Sequence, residues 1–212
     1  MQPENKPSDQ EALSFIEKAR RAQIATCTIE TIATLGYGQA SLAQIAKRAG
    51  ISKGVISYHF KSKDELIEQT AAAIFEAFGA FMEPQIKAET APSKKLEAII
   101  RSNLAFMQLH RQHLVALLEI LVNARPLPTA MAATHQASLR DLENFLRWGQ
   151  EVGEFRAFSP SVMALVIRNA IDLPAGKIAS TEGFDVDSYA SELVTLFDLA
   201  TRSDSETREK RT

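Results

Sequence analysis

The segment 43–67, "AQIAKRAGISKGVISYHFKSKDELI", decides the fold. It holds two short runs of helical periodicity separated by Ala49, Gly50, Ile51 and Ser52. Ser41 stands before the first run and can cap it. Gly50 supplies the left-handed conformation that a helix C-terminus needs. Ser52 caps a second helix over 53–59, and Ser62, with Glu65 three residues on, is a capping box that opens a further one. Two short helices joined by a four-residue turn containing glycine make a helix-turn-helix. Ile45, Ala46, Ala49, Ile51 and Ile56 provide its inner face, with the small Ala46 where the helices cross most closely. Ser52, Lys53, Gly54, Ser57 and Tyr58 are left on the outer face of the second helix. None of them helps a core, and all suit a major groove, where the first residues of a recognition helix meet base edges.

Charge supports the same reading. The 212-residue chain has a net charge of −2, which gives no global basic signature, yet residues 1–63 carry +4 and the rest −6. No acidic residue lies between Glu30 and Asp64, whereas Lys47, Arg48, Lys53, Lys61 and Lys63 do. A local basic surface on a near-neutral protein calls for an anionic partner, and lysines that neutralise phosphates release counterions. The helix starts at Ser41 and Ser62 add N–H groups that suit phosphate.

Outside the motif the pattern is helical throughout. A first helix is expected over 11–35, stopping at Gly36. Further helices are expected at 92–109, at about 110–123, at 129–152 ending at Gly153, at 160–173 behind a Ser-Pro start, and at 185–201. The expectation is an all-α protein of about nine helices. It divides into a loose tail (1–10), a three-helix DNA-binding domain (11–61), a larger helical bundle for ligand binding and dimerisation (62–201), and a second loose tail (202–212). The single cysteine, Cys27, excludes an internal disulfide and reads as a structural thiol. With no apolar leader and no run long enough for a bilayer, the expected location is the cytoplasm, away from membranes.

The stretch "GYGQASLAQIAKRAGISKGVISYHFKSKDELI" resembles the DNA-binding region of the TetR family of bacterial transcriptional regulators. Gly36-Tyr37, Ala49 to Gly54, Tyr58-His59-Phe60 and Ser62 to Leu66 carry the resemblance, over about residues 20–67. It implies that Lys53, Gly54, Val55, Ser57 and Tyr58 face the groove, and that Ser41, Tyr58, His59 and Lys63 hold phosphates. The family usually has an aromatic where this chain has Ser57. Gln44, on the outward side of the supporting helix, is a further candidate for base contact.

A short helix cannot read enough DNA alone, so a dimer with two recognition helices ~34 Å apart is expected on a palindromic operator. Helices 160–173 and 185–201 are apolar on nearly every side, which fits burial against both their own chain and a partner. Val162, Leu165, Val166, Leu193, Leu196 and Phe197 are the interface candidates. The resemblance implies a small-molecule effector in the bundle. Candidate pocket residues are Phe106, His110, Asn123, Met131, His135, Trp148, Arg168 and Asn169.

His110 and His113 have i,i+3 spacing, but no Glu-x-x-His or second cysteine accompanies them, so neither metal nor cofactor is expected. Catalytic signatures are missing too: there is no Gly-rich phosphate loop, no G-x-S-x-G and no Cys-His pair. The reading is a ligand-responsive transcriptional regulator, most simply a repressor. Its rivals are a helical carrier or enzyme with a merely structural helix-turn-helix, and a ligand-independent DNA-organising protein.

Overall fold

A computed structural model describes residues 9–203, with side chains from Ile16 onward. Ten helices occur among these residues: α1 (Asp9–Leu35), α2 (Leu42–Ala49), α3 (Lys53–His59), α4 (Lys63–Lys87), α5 (Pro92–Leu109), α6 (Arg111–Asn123), α7 (Thr129–Glu151), α8 (Pro160–Asp172), α9 (Ala175–Ser180) and α10 (Val186–Thr201). The protein is all-α, as expected. The extra helix is α9, six residues behind Pro174 and too short to show periodicity. α4 runs past Pro84, with Gln85 Nε2 donating to the Phe81 carbonyl beside the interruption. The loose tails expected at 1–10 and 202–212 lie almost wholly outside the described residues, and Asp9 and Gln10 are already helical.

The chain packs as two compact units. One comprises residues up to Ile74 together with Val115–Pro128, the other Phe75–Leu114 together with Thr129 onward. In the first unit, Ile24 of α1, Ile45 and Ala46 of α2, Ile56 of α3, Phe60 and Leu66 form one apolar cluster, with Cys27, Leu42 and Ile51 packed at its edge. Burial followed by the nearby Glu30 raises the pKa of the Cys27 thiol, consistent with a structural role.

In the second unit α10 packs on α5 and α7 on α8, while α5 also meets α7, α8 and α9. The buried stripe of α10 is Val186, Ala190, Leu193, Phe197 and Thr201, and that of α8 is Ala164, Ile167 and Ile171. This corrects two interface candidates. Phe197 is 2% exposed and Leu193 8%, so both belong to the core of their own chain. The Tyr189 hydroxyl donates to the Ala170 carbonyl and ties α10 to α8. Glu154 accepts the Ser93 N–H at the start of α5, where Ala91 offers no side-chain cap. Gly149 of α7 admits Phe155: a Cβ there would stand 2.1 Å from the ring.

Candidate nucleic-acid interface

The local chemistry of the motif is what its sequence dictates. The Ser41 hydroxyl accepts from the Gln44 N–H and the Ser52 hydroxyl from the Val55 N–H, each at 3.3 Å. Gly50, at φ +65°, closes α2 by donating to the Ala46 and Lys47 carbonyls. Ser62 caps α4 through the Glu65 N–H at 3.1 Å, but the return bond departs from a capping box: Glu65 accepts from the Lys61 N–H, one residue before the cap. That bond, with a second from Arg21, holds the Glu65 carboxyl below its usual range.

The outer face of α3 is open. Ser52, Lys53, Gly54, Ser57 and Tyr58 are exposed, Tyr58 to 77%, while Val55 is half-buried. Ser41 and Gln44 are exposed beside them on the supporting helix. Ile56 is the one fully buried residue of α3, with Val55 and His59 half-buried beside it, so the helix is held along one side and open on the other. Among the described residues, the ion pairs Arg21–Glu65 and Arg48–Glu30 leave Lys47, Lys53 and Lys61 out, and these three lysines are exposed.

Gly54 is informative. A Cβ at this position would meet only the Ser52 hydroxyl at 3.5 Å, an ordinary contact, and its φ is not left-handed. The fold therefore tolerates alanine here, although glycine inside a helix costs roughly 0.5–1 kcal/mol.

Two predicted phosphate contacts are constrained. His59 is half-buried, and its Nδ1 is enclosed without a partner among the described residues, so only Nε2 can serve an outside ligand. Its ring stands edge-on to Tyr58 at 5.0 Å. The Lys63 ammonium lies 4.7 Å over the Tyr37 ring and 3.4 Å from the Tyr37 carbonyl. Arg21 was missed by sequence reading. It donates to the His59 carbonyl, pairs with Glu65 at 3.2 Å and lies 4.4 Å over the Phe60 ring. It thus joins α1, the end of α3 and the start of α4, and no local pattern marks a partner 38 residues away.

The predicted ligand residues fall in different surroundings. In the second unit, Phe106 and His110 stack at 4.4 Å within a cluster that includes Phe78, Phe81 and His113. Met131 is buried, Trp148 half-buried near Phe145, and His135 exposed. Arg168 is held by Asp172 and by Asn103, which is itself buried, and Asn169 is exposed and bonds the Leu165 carbonyl. Asn123, in the first unit, bonds Glu119 of its own helix. A cavity of about 420 Å³ opens between α5 and α10, lined by Leu96, Ile100, Val194, Leu199 and four charged side chains, and none of the eight candidates borders it. No group of three His, Cys, Asp or Glu that could hold a metal occurs among the described residues, nor any helix long and apolar enough to cross a membrane.

Comparison with known proteins agrees with the motif. Residues 24–70 match the model of the bacterial regulatory proteins of the tetR family. The HTH-type transcriptional regulator BetI of Cronobacter sakazakii is 34% identical over 117 residues, 53% of this chain and 57% of the relative, so the chain spans little more than half of it. Among solved structures, the fatty acid degradation regulator FadR of Bacillus halodurans superposes with a TM-score of 0.74 at 20% identity, covering 83% of this chain and 96% of that one. The ketosteroid transcriptional regulator KstR2 of Mycobacterium tuberculosis gives 0.68 at 16% identity, covering 87% and 95%. At such identities the superpositions speak for the fold. The amino-terminal segment that holds the motif thus matches the tetR family of bacterial regulatory proteins, and the chain shares its fold with solved regulators over more than four fifths of its length.

Proposed function

We propose that this chain is a dimeric transcriptional regulator that represses by occupying a palindromic operator in the cytoplasm and leaves it when a small molecule binds. It is a binding protein, not an enzyme. The observation that carries the reading is the open face of α3, where Lys53, Ser57 and Tyr58 surround a glycine that the fold does not require. Lys53 and Ser57 would meet base edges, while Ser41, Tyr58 and Lys63 would meet phosphates on either side. The match of residues 24–70 to the tetR family model supports both DNA and a small-molecule effector as partners.

Dimerisation is supported by the outward stripes of α8 and α10. Val162, Leu165 and Val166 on α8, and Leu196 and Leu199 on α10, are half or more exposed in the single chain. Two such helices per chain make a four-helix contact with a second copy, and its loss of apolar exposure is the driving term. Release by an effector follows from linkage: a ligand favouring a state whose recognition helices are wrongly spaced must weaken operator binding reciprocally. Selection of duplexes from random sequence tests this function. The expected result is an enriched inverted repeat with half-sites about one helical turn apart or a multiple of it. Recovery of no preferred sequence would favour a carrier or a DNA-organising protein.

A further inference from the structure

Glu119 belongs to α6, 82 positions from the turn that it touches. Its carboxylate accepts the Tyr37 backbone N–H at 2.8 Å, and a Cβ on Gly36, which has φ +80°, would stand 3.5 Å from the same oxygen. The carboxylate therefore lies directly against the Gly36–Tyr37 peptide. Asn123, one turn further along α6, approaches that oxygen with Nδ2 at 3.4 Å and also bonds the Glu119 carbonyl. At the next peptide, the Tyr37 carbonyl is shared by the Ala40 N–H at 3.3 Å and the Lys63 ammonium at 3.4 Å. The Tyr37 ring lies under that ammonium. One turn thus has its N–H held by α6 and its carbonyl and ring holding the first residue of α4. All of these groups belong to the first compact unit.

We propose that Glu119 is a positioning residue for operator binding: by pinning the Gly36–Tyr37 peptide it sets the Tyr37 carbonyl and ring that aim Lys63 at a phosphate. The physical ground is freedom. A lysine ammonium on a four-carbon stem samples many rotamers, and a carbonyl and an aromatic face together restrict it before DNA arrives. A hydrogen bond to an ionised acceptor is stronger than a neutral one, so the turn is held more firmly than its own backbone bonds would hold it. The proposal rests on the DNA-binding reading above.

The test uses the full-length protein and a duplex pool enriched from random sequence, with affinity measured against salt. Glu119→Ala should weaken binding about tenfold, as loss of a charge-assisted bond predicts. It should also lower the magnitude of the log–log salt slope by about one unit, the signature of one lost phosphate contact. Glu119→Gln keeps an acceptor for the Tyr37 N–H and should restore most of the slope. Tyr37→Leu, which keeps that N–H but removes the ring, should also lower it. In a Lys63→Ala background, Glu119→Ala should leave the slope where Lys63→Ala has put it. If Glu119→Ala retains the wild-type slope, or lowers it equally with and without Lys63, the inference fails while the regulator reading stands. If the wild-type protein itself shows no steep salt dependence and enriches no sequence, the regulator reading fails and takes this inference with it.

Discussion

At the scale of single residues, Gly54 and His113 make opposite demands. Gly54 has room for a methyl group within its own chain, so Gly54→Ala should raise thermal stability, by roughly 0.5–1 kcal/mol, as removal of a helical glycine does. The same methyl would project toward DNA, so operator affinity should fall. A calorimetric melt and a binding titration on one variant check both signs, and a loss of stability would mean that the glycine serves the fold. Burial, and then the charge of His110, hold the His113 imidazole below the ordinary histidine range. The folded chain therefore takes up this proton less readily than the unfolded one. Its contribution to stability is complete above about pH 6.5 and diminishes as pH falls below that value. His113→Phe should flatten the dependence of melting temperature on pH below about pH 6.5. Caps and turns were legible in the sequence because their chemistry is local: Ser41, Ser52 and Gly50 do what their neighbours within four residues require. The Arg21–His59 and Tyr37–Glu119 contacts were not, because their partners lie 38 and 82 positions apart.

Among the helices, α8 and α10 show where periodicity loses its resolving power. Both are apolar on more than one side, and sequence alone does not say which side meets its own chain. On α10 the inner row is Leu193 and Phe197, and the outer row Leu196 and Leu199. The two rows respond differently to charge. Leu165→Glu or Leu196→Glu should leave a folded monomer in sedimentation, since each side chain is already half exposed in the single chain. Phe197→Glu should instead unfold the protein, because a buried carboxylate without a partner costs several kcal/mol. A folded dimer from Leu165→Glu combined with Leu196→Glu would remove these helices from the interface. Arg168, which interrupts the apolar run of α8, shows the same limit: its partners Asp172 and Asn103 are inside its own chain, and only coordinates reveal Asn103.

For the whole molecule, the helix-turn-helix was readable and a small-molecule site was not, for a physical reason. A groove-reading surface needs outward polar and cationic groups at fixed offsets from a glycine turn, and such offsets are written in sequence. A pocket is a gap among distant helices, and Phe106, Met131, His135 and Trp148 do not line the cavity between α5 and α10. FadR and KstR2 share the fold, and their names point to fatty acid degradation and to ketosteroids, so the fold leaves the effector open. The account stands on the outer face of α3 meeting duplex DNA. Its most direct measurement is the dependence of operator affinity on salt for the wild type and for Lys53→Ala. A steep wild-type slope is expected, with Lys53→Ala losing affinity and sequence preference together. An unchanged preference and an unchanged slope in Lys53→Ala would contradict it.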